Sequence, residues 1–262
     1  MMNIINKFKI DSSLYLFMLI AMLSGYLKDI VIVLIIVVLH EMGHVIFFSL
    51  FKVDILSVVI YPFGGICNVN KKLNNRILYD VLINIGGILM QCILYIIVYL
   101  LWKNGMVMRS TYKMFNMYNT SIILFNLLPI VPLDGSKLLV NVLSKYLSYR
   151  VSYVMMIVVS IIVSLLFFIY NVCVGINDLV IYGFLLFQIV KAIKEYKYVI
   201  NKFYLERVIY DNYYDEIING NVRVRDMKIG KYYYFYKNGR YYSEKEYLKT
   251  GKILWHCDIV LV

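Results

Sequence analysis

His40, Glu41 and His44 stand together in the run His40-Glu41-Met42-Gly43-His44. Residues four apart on a helix lie almost one above the other, so two imidazoles can face a single metal ion while Glu41, one residue on, reaches the edge of the same site. This is the residue set of zinc-dependent hydrolysis: the imidazoles hold Zn²⁺, and the carboxylate takes a proton from the water that the metal activates. The motif lies inside an apolar run over residues 30–51. A helix of about 22 residues at ~1.5 Å rise spans ~33 Å, enough to cross a hydrocarbon core of ~30 Å. The site is therefore expected inside a membrane. Two histidines and a glutamate could serve there as a polar seam between helices, but ionisable groups in lipid are costly and mark function.

The elements that must position this cluster follow from composition and order. The chain has 262 residues, of which 61% are hydrophobic and 16% charged, and its mean hydropathy is +0.72. These values exclude an ordinary soluble domain and predict an α-helical polytopic membrane protein. The net charge of +11 does not imply nucleic-acid binding. The basic residues fall between apolar runs and in the tail, a pattern suited to cytosolic loops facing anionic lipid, and no nucleic-acid motif accompanies them. Cys67, Cys92, Cys173 and Cys257 are far apart and suggest neither a disulfide framework nor a cysteine zinc site.

About six transmembrane helices are expected. The first run, residues 14–27, is the shortest; it follows Lys7 and Lys9, lacks a small-x-small cleavage pattern, and either extends back to Ser12 or lies tilted at the interface. The motif helix comes next. Residues 55–60 and 66–70, separated by Pro62 and the pair Gly64-Gly65, read as a short membrane-associated β-hairpin. A third span over 78–102 carries Asn84 and Gly86-Gly87, small residues that allow close helix packing. The fourth begins near Phe115 and breaks after Asn126, because Pro129 and Pro132 cannot both sit in a regular helix. Residues 137–150 read as a basic loop, and runs over 151–174 and 179–193 complete the set.

After Lys191 the chain turns polar and tyrosine-rich, with a β-hairpin expected around Lys237-Asn238-Gly239-Arg240. The division expected is a six-span domain over 1–195 and a small, basic C-terminal α+β cytosolic domain over 196–262, too small to be robust alone. The adjacent pair His256-Cys257 is weak as a metal site. Lys and Arg concentrate at the N-terminus, in the 52–76 and 137–150 loops and in the tail. By the positive-inside rule both termini face the cytoplasm, which brings His40, His44 and Asp134 to the same depth.

On His40-Glu41-Met42-Gly43-His44, Pro62-Phe63-Gly64-Gly65, and Asn126 through Pro129 and Pro132 to Leu133-Asp134-Gly135, the chain resembles the site-2 intramembrane zinc metalloproteases, in particular the six-span sporulation type of spore-forming bacteria. The resemblance covers about the first 195 residues. It implies a bacterial cell-membrane location, Asp134 as third zinc ligand and cleavage of a membrane-associated protein; for the sporulation branch, that substrate is a membrane-tethered sigma-factor precursor. Regulatory membrane proteins are further partners it implies. The chain departs from the pattern with Gly135-Ser136-Lys137 where relatives often have Gly-Gly-Arg, and with Gly87-Ile88 and Gln91 where they have Gly-Pro and a later Asn. Sporulation members commonly end in a nucleotide-sensing CBS domain, for which this tail is too short, so nucleotide binding is not expected.

Within that scheme Glu41 is the catalytic base, while Gly64, Gly65 and Asn126 are candidate substrate-binding residues, Asn126 being equally able to cap the broken helix. Two other classes compete. A metal transporter would also bring His and Asp to membrane depth, but would not need a glutamate beside the first histidine. A non-catalytic scaffold acting through its tail would be indifferent to Glu41.

Overall fold

The computed structural model describes residues 8–61, 64–69, 76–171, 176–210, 214–220, 222–237 and 239–250. Pro62, Phe63, Asn238, His256 and Cys257 lie outside the described residues. The chain forms two compact units, Met1–Lys71 with Leu82–Leu127, and Lys72–Val81 with Leu128–Val262.

The first unit opens with β1 (Phe8–Ile10), followed by α1 (Ser12–Leu23), capped by the Asp11 carboxylate, which accepts from Ser13 N at 2.9 Å. With 12 residues α1 rises about 18 Å. The motif helix α2 (Leu27–Leu50) is long and apolar enough to cross a membrane. Lys52 ends it in the left-handed region at φ 54°, while Lys52 N donates to Ser49 O and Val53 N to Phe48 O, the paired bonds of a Schellman stop. Strands β2 (Ile55–Tyr61) and β3 (Gly64–Val69) form the expected antiparallel hairpin. Its β-branched residues face the end of α2: Ile55 and Val58 share a core with Val45, Phe48 and Ile83.

No local pattern announces β1, which pairs in parallel with β2 from Phe8↔Val58 to Ile10↔Ile60. The strand order β1-β2-β3 makes β2 central, so residues 58–60 cannot serve as an open edge, while among the described residues β3 keeps one. Helix α3 (Ile77–Lys103) is a second candidate span. It ends in a turn at Gly105, beside which Trp102 stacks on Tyr112 at 4.7 Å. Aromatic residues of this kind settle at membrane interfaces. Helix α4 (Arg109–Leu127) starts six residues before the apolar run does, its first turn being polar.

In the second unit, residues 128–133 are unwound, as the two prolines require. Their backbone finds partners in the protein: Val131 N donates to Ser160 Oγ at 3.2 Å, and Ser160 Oγ donates to Pro129 O at 3.1 Å. Residues 137–150 are not a loop. Helix α5 (Asp134–Tyr146) occupies most of that stretch, burying Ser136, Asn141 and Ser144 on one face, so Lys137 and Lys145 decorate a helix and not a linker. Helix α6 (Tyr149–Asn171) contains the third candidate span, Tyr149–Ile169.

Helix α7 (Ile176–Ile209) continues well past the apolar run. The tail follows with β4 (Glu216–Gly220), β5 (Lys231–Lys237), β6 (Arg240–Ser243) and α8 (Glu244–Thr250). The tyrosine hairpin is present as β5 and β6, closing at Lys237↔Arg240, while β4 adds a parallel strand. Its core takes Phe203 and Ile200 from α7 and Tyr149 from α6, along with Met227, Tyr233, Phe235 and Leu248. Arg207, fully buried, pairs with Glu244 at 3.0 Å and donates to the carbonyls of Lys228 and Lys231. Burial raises the Glu244 carboxyl above its ordinary range, and Arg207 opposes that rise.

Candidate functional site

The first unit builds its site on the crossing of α2 and α3. A Cβ on Gly43 would fall on the carbonyl of Gly86, one on Gly86 would meet the Phe47 ring and Gly43 O, and one on Gly87 would overlap the His40 ring. Only glycine lets the two backbones approach this closely, which is the packing role expected for Gly86-Gly87. The crossing puts α3 within reach of both imidazoles. His40 and His44 are 4% and 6% exposed, and Glu41 is 9% exposed.

Each histidine is oriented through Nδ1. His44 Nδ1 donates to the carbonyl of Ile83 at 2.7 Å, and a carbonyl can only accept, so the proton is on Nδ1. His40 Nδ1 lies 3.0 Å from Gln91 Oε1. Gln91 is turned by its other end: its amide nitrogen donates to Asn119 Oδ1 at 3.3 Å, and Asn119 Nδ2 donates back to Gln91 O at 3.4 Å. Both rings therefore carry their proton on Nδ1 and an acceptor lone pair on Nε2, and the two Nε2 atoms lie 3.2 Å apart. Zn–N bonds of ~2.0–2.1 Å at a tetrahedral angle put two ligand nitrogens about 3.3 Å apart. The imidazole pair thus fits a zinc ion by distance and by tautomer.

Gln91 and Asn119 enter the site by a route that sequence reasoning missed. Both are buried polar side chains, on α3 and α4, and their signal was polarity at membrane depth. Strand β3 meets the site from the other side. A Cβ on Gly65 would fall on the Glu41 carboxyl group, so this glycine lets the sheet edge lie directly against the candidate base. Gly64 opens the same strand, and Asn126 is half-buried in the last turn of α4.

In the second unit, Asp134 is the first residue of α5 and is buried. A carboxylate is favoured at that end of a helix by the aligned peptide dipoles. Lys137 Nζ lies 2.7 Å from its Oδ1, from a side chain that is itself 53% exposed. Asp134 is thus a buried carboxylate of the second unit, as His40 and His44 are buried imidazoles of the first.

Comparison with known proteins gives a consistent picture. The profile of Peptidase family M50 matches residues 29–107 and 101–170. Stage IV sporulation protein FB of Bacillus subtilis is 29% identical over 209 residues, 79% of this chain and 73% of that protein. A zinc metalloprotease of Methanocaldococcus jannaschii is 29% identical over 119 residues, 43% of this chain and 33% of that protein. Among solved structures, a site-2 protease from Methanocaldococcus jannaschii superposes with a TM-score of 0.56 at 20% identity, covering 71% of this chain and 89% of the other.

Proposed function

Because the chain belongs to Peptidase family M50, and is a multi-pass zinc metalloprotease of the site-2 type, we propose that it hydrolyses a peptide bond within or beside the membrane segment of a spanning or tethered protein, with His40, His44 and Asp134 as zinc ligands and Glu41 as base. The observation that carries this reading is the pair of Nδ1-protonated imidazoles with Nε2 atoms 3.2 Å apart, one residue from a carboxylate packed under a strand edge. The likeness to stage IV sporulation protein FB supports a tethered sigma-factor precursor as the substrate class.

Bound zinc supplies a Lewis acid for the peptide carbonyl and an acidified water. Glu41 accepts the proton of that water and returns it to the departing amine. Gln91 and the Ile83 carbonyl keep the two rings in the Nδ1-protonated form. Asn126 is the proposed donor to the substrate backbone. Loss of an outer partner of this kind typically lowers metal affinity 10–100-fold. Gln91→Leu is therefore expected to weaken zinc binding by about that factor, and Gln91→Glu, which keeps an acceptor on His40, to retain it. Chelator competition on the purified variants measures both, and equal zinc affinity in Gln91→Leu would remove the orienting role.

We place both termini in the cytoplasm, with about six spans over 1–195 and residues 196–262 as a cytosolic region. Reporter fusions after Arg76, Arg150 and Val262 should read cytoplasmic, and one after Lys103 the opposite; any reversal rejects this orientation.

A helical substrate hides its carbonyls in its own hydrogen bonds, so it must unwind to be cut and then needs new backbone partners. The edge of β3, with Gly64 and Gly65 at its start, supplies them by strand addition. Proline at β3 positions whose N–H points away from β2 should impair cleavage far more than alanine there, since proline removes the donor. Normal cleavage throughout the proline series, at normal protein levels, would exclude strand addition.

A further inference from the structure

Beyond the protease site, the second unit carries a groove of 240 Å³ whose lining combines Arg150, Val151, Val154 and Met155 of α6 with Arg225 and Asp226 of the tail. Positions 150, 151, 154 and 155 form one face of the first two helical turns, since they are related by spacings of three and four. That face is ordered along the helix. Arg150 stands at the polar end, beside the tail, and the apolar residues follow toward the membrane-spanning part at ~1.5 Å per residue. Val151, Val154 and Met155 are 44%, 42% and 41% exposed on a helix long and apolar enough to span.

Across the groove, Arg225 is presented by a 3-10 turn, Val224–Asp226. The turn is fixed to the span: Tyr149 N donates to Met227 O at 3.1 Å, and Tyr149 sits in the tail core. Arg150 is steadied by its Nε, which donates to Tyr196 Oη at 2.7 Å. The charged residues lining the groove are thus two arginines and one aspartate, Asp226, and the balance is cationic. Guanidinium forks match phosphate oxygens, and the apolar strip below them matches an acyl chain.

We propose that this groove binds the phosphate headgroup of an anionic phospholipid, whose acyl chain lies along Val151, Val154 and Met155. Only an anionic amphiphile of the bilayer offers charge and apolar length in the order that the α6 face presents them. A lipid held there bridges the span and the tail, so it stabilises the docked tail in membranes rich in anionic lipid.

The test uses the full chain purified in detergent, with phosphatidylglycerol or phosphatidylcholine added, and reads lipid retention by native mass spectrometry together with thermal unfolding. The expected result is retention of phosphatidylglycerol at least about tenfold above phosphatidylcholine, with an upward shift in Tm. Arg150→Gln with Arg225→Gln should abolish the preference. Arg225→Gln alone, at an exposed position away from the Tyr196 bond, should reduce it with the fold intact. A control pair outside the groove, Arg109→Gln with Lys113→Gln, should leave it unchanged. Equal retention of the two lipids, an unaffected double variant, or equal displacement by inorganic phosphate would each overturn the proposal, the last by showing a plain anion site.

Discussion

Glu41→Gln is expected to lower peptide-bond cleavage by at least about 10²–10⁴-fold, the usual share of a positioned general base, while zinc content and membrane insertion stay normal. The argument rests on what the amide can and cannot do. Glutamine has nearly the volume of glutamate, so the contact with Gly65 survives and the sheet edge stays where it is. It has no basic oxygen at neutral pH, so the proton of the attacking water has no acceptor. The two imidazoles keep their own partners, Gln91 and the Ile83 carbonyl. Cleavage of a tethered reporter substrate and metal content of the same preparation are the two measurements. Cleavage within a few-fold of the parent chain would remove Glu41 as base and with it the mechanism proposed above.

What the sequence revealed and what it hid divide along a physical line. His40, Glu41 and His44 were legible because their chemistry depends on spacing within one helix. The proline break was legible because Pro129 and Pro132 forbid a local conformation. Gly86-Gly87 announced close packing, but not that Gly43 would be the residue opposite Gly86. Pairings between distant segments were not legible: β1 is three residues long and joins β2 across α1 and α2, which no local pattern encodes. Helix α5 was missed for another reason. Its buried face carries Ser136, Asn141 and Ser144 in place of a clean apolar stripe, and with Lys137 and Lys145 it reads as a polar loop. Gln91 looked like a departure from pattern and Asn119 carried no signal of its own; their meaning lies in the contact between His40 Nδ1 and Gln91 Oε1, which no local spacing encodes.

Replacing any one of His40, His44 and Asp134 by alanine is expected to cost both zinc and activity, in contrast to the change at Glu41. A catalytic zinc site has three protein ligands and one open position, so no spare donor stands ready to replace a lost one. If binding energies of roughly 10–16 kcal/mol for structural zinc sites are shared among their ligands, each donor contributes about 3–5 kcal/mol, or about 10²–10⁴-fold in affinity. That is enough to empty the site during purification. His44→Ala also leaves the Ile83 carbonyl without its imidazole donor, so some loss of stability accompanies the loss of metal. Asp134→Asn is the cleaner change for the proposed third ligand: the amide keeps the size of the side chain at the start of α5 but gives up the charge that pairs with Lys137 and is proposed to bind zinc. Elemental analysis of zinc, with proteolytic resistance as a check on folding, separates the outcomes. Intact folding with zinc lost supports the assignment. Full zinc occupancy in Asp134→Ala and Asp134→Asn would show that the third donor lies elsewhere in the chain.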